Sequence, residues 1–257
     1  MVDEAERKYL LNNSARPIFE SKHILPKANQ TQRSFILATL QPRQATMGTR
    51  REYDITATNW WRNKATVTEQ NSTTPVYELD LAFVKGDIQK KPGEHSVIVR
   101  KPSSPDVSTE SSVLGIADLH YSTISKPIHI CLGDPDSAPS DAVWECLQVR
   151  EKFMTNNFEL SIDLGGDLGR KIFDWRRTHD LDGIGTMRKK LDFYNVKMVE
   201  RETGTVVGTF IHNTWPGKKR GVLVVEEFDG GKNWETIVLL SGMAVVEYLR
   251  KLGGMSW

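Results

Sequence analysis

The sequence predicts a mainly β protein, a twelve-stranded, largely antiparallel closed barrel around a buried hydrophobic C-terminal helix. Three observations predict it. From residue 48 onward the chain breaks into short β-type runs separated by turn residues and not by helices. No strand–helix–strand rhythm of a parallel sheet is visible. One helix follows the last strand, and it carries no polar face for more than two turns.

Residues 1–47 show little periodicity. Asp3–Leu11 suits a short helix and Ser34–Leu40 (SFILATL) a strand. The rest is rich in Gln, Asn, Ser and Pro, so a mobile arm is expected.

The barrel strands are then read in order. Tyr53–Trp60 alternates apolar and polar residues, and Ala65–Gln70 follows a polar break. Val76–Val84, Ser96–Lys101 and Val113–Ser122 come next, divided by Pro92-Gly93 and by the Ser/Pro tract Pro102–Ser112. Ile128–Leu132 ends at the turn Gly133-Asp134-Pro135. Trp144–Arg150, Phe158–Leu164 and Arg170–Arg177 precede the loop Thr178–Lys190. Phe193–Arg201 and Thr205–His212 are joined by Glu202-Thr203-Gly204, a hairpin signal. Gly221–Phe228 closes the set before Asp229-Gly230-Gly231.

The helix spans Trp234–Leu252. Asn233 is a natural N-cap, Glu235 suits the first turn, and Arg250, Lys251 and Gly253 suit the end. Ser241-Gly242 gives it a thin waist that neighbours can approach closely. A helix apolar on all sides must be enclosed on all sides, so the sheet is expected to wrap around it. The alternative is a membrane span. Its apolar runs are split at Ser241-Gly242 and followed by Glu247, Arg250 and Lys251, short of the roughly 20 apolar residues a span needs. No transmembrane segment is expected.

Composition narrows the function classes. Net charge is +1 over 257 residues, which gives no global drive toward nucleic acid. The sum hides an asymmetry. Residues 1–50 hold 8 Lys/Arg and 4 Asp/Glu, and the remainder holds 26 against 29. Cys131 and Cys146 are too few for a disulfide framework. The start MVDEAERKYLLNN has no apolar core segment, so the N-x-S/T triplets at Asn12, Asn29 and Asn71 read as chance matches. An intracellular, reduced setting is expected: cytoplasm, the periphery of a membrane, or nucleus.

Three features carry a family resemblance: the Gly133-Asp134-Pro135 turn after "IHICL", "FDWRRTHD" at Phe173–Asp180, and the "IVLLSGMAVVEYLRK" helix. With them, the chain from about residue 48 to the end resembles the tubby C-terminal superfamily. That superfamily also holds the phospholipid scramblases and the plant LURP-one-related proteins. The likeness is nearest to fungal tubby-like proteins. It implies a barrel threaded by a terminal helix, and phosphoinositide binding in a basic surface pocket. The headgroup pocket of tubby domains does not align residue by residue, so no site is carried over. The cysteine-rich palmitoylated segment and spanning C-terminus of a scramblase are missing, which argues against that branch.

The residues themselves supply a candidate site. Between Arg170 and Arg220 there are 12 Lys/Arg against 6 Asp/Glu. They cluster as Arg170-Lys171, Arg176-Arg177, Arg188-Lys189-Lys190 and Lys218-Lys219-Arg220, at predicted strand ends or in loops. Several clusters can therefore converge on one rim. Phosphate recognition needs such convergence, with Arg giving bidentate contacts. Lys218, Lys219, Arg220, Arg188, Lys189, Lys190, Arg170 and Arg176 are the candidate anionic-lipid ligands. Solvated loop charge is the plainer alternative.

Other chemistry is weaker. His120, His129, Cys131 and Cys146 match no compact zinc spacing, although His129 and Cys131 share a strand face. Asp174, His179 and Asp180 lie close together, but no G-x-S-x-G is present. Gly165–Gly169 precedes a strand and suits a tight turn, not a phosphate loop. Trp60-Trp61 places one ring in the core and one outside, or both in the core. Neither cofactor nor metal is expected. The expected function is a non-enzymatic binding or adaptor module for phosphoinositide or another anionic membrane lipid. A protein-interaction scaffold and an enzyme with a loop pocket around His179 are the alternatives.

Overall fold

Twelve antiparallel strands close on themselves in the computed structural model, in the order β1-β12-β11-β10-β9-β8-β7-β6-β5-β4-β3-β2. The structure describes residues 50–58, 63–81, 95–103, 111–119, 126–152, 155–179, 194–213 and 218–252. The expected arm, Trp60-Trp61, His120, Asp180 and the Arg188-Lys189-Lys190 cluster lie outside these.

The strands are β1 (Arg51–Ala57), β2 (Lys64–Glu69), β3 (Pro75–Leu81), β4 (Val97–Arg100), β5 (Val113–Asp118) and β6 (Ile128–Leu132). They continue as β7 (Val143–Lys152), β8 (Thr155–Asp163), β9 (Arg170–Arg177), β10 (Val196–Glu200), β11 (Val206–His212) and β12 (Lys219–Val225). Each predicted run has its counterpart. Helix α1 covers Trp234–Leu252, the predicted range. Pairing of β1 with both β12 and β2 removes every free edge, which in an open sheet would invite aggregation.

Boundaries differ for physical reasons. Strand β12 begins two residues before its prediction, because Lys219 still pairs with Thr56 beyond a bulge at Arg220 in β12. Strand β10 is shorter than predicted. Asn195 is fully buried just ahead of it, with its side-chain oxygen accepting the His212 N–H at 2.9 Å. That bond caps the neighbouring strand instead of extending the ladder.

Alternate residues of each strand face the helix. Ile55, Val67, Leu79, Val99, Ile130, Leu147, Leu160, Phe173, Trp175, Met198, Phe210 and Leu223 join Trp234–Leu249 in one core. Each fully buried Leu, Ile or Val contributes about 1.5–3 kcal/mol relative to exposure. Among the described helix residues up to Leu249, Glu235 alone is not buried. The close fit needs missing side chains. A Cβ on Gly208 would stand 2.7 Å from Val238 Cγ1, so only glycine lets β11 lie against the helix.

The helix gives the barrel two ends. At the end where α1 starts, Glu235 accepts hydrogen bonds from Arg51 Nη1, from Tyr53 Oη at 2.7 Å and from Tyr77 Oη at 3.1 Å. At the end where α1 finishes, Arg220 Nη1 donates to buried Glu247 at 3.2 Å, and Arg250 Nη2 donates to the same carboxylate at 2.6 Å. Among the described residues no helix is long and apolar enough to cross a membrane.

Candidate functional site

Strand direction sorts the predicted basic clusters. Strands β9 and β11 run toward the α1 C-terminal end, and β10 and β12 start from it. Arg176-Arg177 at the end of β9 and Lys218-Lys219-Arg220 at the start of β12 therefore share that end. Arg188, Lys189 and Lys190 fall in the sequence between β9 and β10, outside the described residues. Arg170 and Lys171 open β9, and sit at the opposite end.

The individual side chains differ more than their clustering suggests. Lys218 is exposed and makes no ion pair among the described residues. Lys219 Nζ lies 2.7 Å from Asp54 Oδ1 and stays partly exposed. Arg176 Nη2 donates to Asp174 Oδ2 at 2.9 Å and is exposed. Arg220 departs from expectation. It is 5% exposed and locked to Glu247 beside the helix, so it cannot meet an outside ligand without breaking a buried pair. The whole triplet sits at the start of β12, as predicted, but only Lys218 and Lys219 have exposed side chains. Arg170 also departs. Its guanidinium takes Glu145 bidentately at 2.9 and 3.0 Å, and donates to the Ser161 carbonyl at 3.1 Å. It is both on the far end and chemically occupied.

One cation at the rim escaped the sequence reading. Lys197 stands directly across from Arg176 on the outer face of β10 and makes no ion pair among the described residues. It is isolated in sequence, and only the β9–β10 register brings the two charges together. The signal available was its even-numbered neighbours: Val196 and Met198 face inward, so Lys197 must face out.

Next to this rim the outer face carries an ion-paired ladder. Arg150 Nη2 donates to Glu159 Oε1 at 2.8 Å, and Arg201 reaches both Glu159 and Asp174. Burial tends to raise both carboxyls. The hydrogen bonds from Arg150 and Arg201 to Glu159, and from Arg201 and Arg176 to Asp174, outweigh it and hold both below the usual range. Arg201 is raised by the same bonds. The ladder fixes the sheet surface and leaves Lys197, Lys218 and Lys219 as the cations best placed for an outside anion.

Among the described residues, cavities open on the outer wall. One of 410 Å³ is lined by Lys64, Thr66, Glu78, Asp80 and Arg100 among others. One of 170 Å³ is lined by Trp144, Glu145, Cys146, Gln148, Ser161 and Arg170 among others. His179 lines neither and is exposed at the end of β9, while Asp174 is held by two arginines. Residues 180–193, on which an enzymatic pocket around His179 would depend, lie outside the described residues. His129 and Cys131 do share the outer face of β6, but Cys131 is fully buried, and burial pushes its thiol up to about 11. Among the described residues no group of three or more His, Cys, Asp or Glu side chains is placed to hold a metal ion.

No protein-family model, no curated protein and no solved structure matches the chain.

Proposed function

We propose that the protein is a non-enzymatic binding module whose rim at the α1 C-terminal end recognises phosphoinositide or another anionic membrane lipid. The supporting observation is convergence. The ends of β9 and β12 bring Arg176, Lys218 and Lys219 to one end of the barrel, with Lys197 across from Arg176. Two of these four have no carboxylate partner among the described residues. Each cation near an anionic leaflet contributes about 1 kcal/mol, so a handful gives reversible, salt-sensitive attachment. Membership of the tubby-like superfamily belongs to the same proposal, and the barrel threaded by its terminal helix is what that resemblance implies.

The test is liposome flotation of the full chain. Vesicles of phosphatidylcholine alone are compared with vesicles that also hold phosphatidylserine or phosphatidylinositol bisphosphate. Flotation is expected with the anionic vesicles only. The pair Lys218→Glu and Lys219→Glu should weaken it about tenfold or more, while Lys101→Glu, exposed at the other end, should not. Arg220 is left intact, since its reversal would disturb the buried pair with Glu247. No flotation with either anionic lipid removes the proposal and favours a protein-interaction scaffold.

A further inference from the structure

Three large hydrophobic residues stand out as exposed among the described ones. Val143 and Trp144 are each 49% exposed on β7, and Ile172 is 36% exposed on β9. Beside Trp144 lies an exposed cysteine. Cys146 shares the outer face of β7 with Trp144, two residues away. Register places Ser161 across from Cys146, and Ile172 across from Ser161. Trp144 and Cys146 line the same 170 Å³ cavity.

The thiol has a base beside it. His129 is the cross-strand partner of Cys146 on β6, and its Nδ1 lies 3.7 Å from Cys146 Sγ. Asp118 on β5 is the next residue along the same rung, opposite His129. Neighbouring antiparallel strands thus bring a thiol and an imidazole together, although they are seventeen residues apart in sequence. A thiol within hydrogen-bond reach of an imidazole is the arrangement that generates a nucleophilic sulfur. The exposed Trp144 ring lines the same cavity and matches a ligand with an apolar body.

We propose that Cys146 is a nucleophilic site for soft, apolar electrophiles of the α,β-unsaturated carbonyl class. The thiol gives its proton to His129 Nδ1. Its sulfur adds to the β-carbon of the electrophile, and the C=C electron pair moves through the α-carbon to the carbonyl oxygen. Gln148, exposed and lining the same cavity, offers amide N–H donors to that oxygen. The α-carbon then takes the proton back from His129. One S–C bond and one C–H bond form, one C=C π bond and one S–H bond are lost, and nothing leaves. Trp144, which lines the same cavity, packs against the apolar substituent. This site lies on β7, away from the basic rim, and stands whether or not lipid binding does.

Maleimides are α,β-unsaturated carbonyl compounds and serve as probes. The full chain is treated with N-ethylmaleimide and with N-cyclohexylmaleimide, and adducts are timed by intact mass and located by peptide mapping. The reference is a second protein carrying Cys146→Ser with Ser140→Cys, which puts a thiol on an exposed turn. Cys146 is expected to react about tenfold faster than the reference thiol. Its preference for the cyclohexyl reagent should exceed the reference preference. His129→Gln should slow both reagents, and Trp144→Ala, an exposed change that spares the core, should cancel the preference. The proposal is overturned if Cys146 reacts no faster than the reference with either reagent, or if both substitutions leave its rates unchanged.

Discussion

The indole N–H of Trp175 donates to Ser241 Oγ at 3.0 Å, joining strand β9 to the middle of the helix where neither side chain meets solvent. Ser241 Oγ in turn donates to the Ile237 carbonyl at 2.7 Å, so the hydroxyl is fully used. Gly242 makes the approach possible, since a Cβ there would stand 3.0 Å from Trp175 Cη2. The thin waist predicted at Ser241-Gly242 is where the largest fully buried side chain enters.

Ser241→Ala should keep the packing and strand the indole N–H without a partner. The expected cost is about 1–3 kcal/mol in urea denaturation. Trp175→Phe made in the Ser241→Ala background should cost less than Trp175→Phe in the wild type. Two costs that simply add would show that the bond carries no coupling.

The enclosure of α1 makes a sharper prediction. Leu240 and Val245 are both fully buried, and Leu240 Cδ2 lies where a Cβ on Gly115 would have to go. Leu240→Asp or Val245→Asp buries a charge with no partner, at a cost on the scale of the whole stability of a domain. Both variants should lose the cooperative thermal transition followed by circular dichroism. Lys232→Asp, exposed just ahead of the helix, should retain it. A wild-type melting temperature for Leu240→Asp would refute the buried-axle arrangement.

The buried pair at the far end of the helix is the third case. Glu247 is 4% exposed and holds both Arg220 and Arg250. Glu247→Gln leaves Arg220 buried without its countercharge, and should cost about 3–5 kcal/mol. Replacing Arg220 and Glu247 together, by Met and Leu, should cost less than Glu247→Gln alone. Chemical denaturation of the three proteins decides it. If the double replacement is the more damaging, the pair is a net stabiliser in its own right.

Fold and site were legible to different depths, for physical reasons. Strands and helix follow local patterns, the period-two alternation in Tyr53–Ala57 and the unbroken apolar surface around Leu240, and these survive in a single sequence. Closure followed from a balance: a helix without a polar face needs a wall on every side. The site depends on register, which no local pattern fixes. Arg220 and Lys219 are adjacent in the chain and look alike, yet one faces the helix and the other Asp54. Lys197 and Arg176 meet only through β9–β10 pairing, and Cys146 and His129 only through β6–β7 pairing. Charge clusters in sequence therefore overstated Arg170 and Arg220, and missed Lys197.

The outer ladder sets a pH dependence whose sign can be worked out. Asp174 and Glu159 are both held below their ordinary range, because the arginine hydrogen bonds outweigh the effect of burial. In the unfolded chain such carboxyls titrate at about 3.9–4.3. The folded state thus binds these protons less tightly than the unfolded state. Their stabilising contribution is complete above the unfolded values, and is lost as pH falls below about 4 toward the folded ones. Arg201, 41% exposed at its side chain, serves both carboxylates, so solvent screening keeps the effect modest, about 1 kcal/mol. Arg201→Met should lower the melting temperature by a few degrees at pH 7. The gap between wild type and variant should shrink as pH is lowered to about 3, where the carboxylates that Arg201 holds take up protons. A gap of equal size at both pH values would mean that Arg201 acts through packing of its stem and not through the two carboxylates.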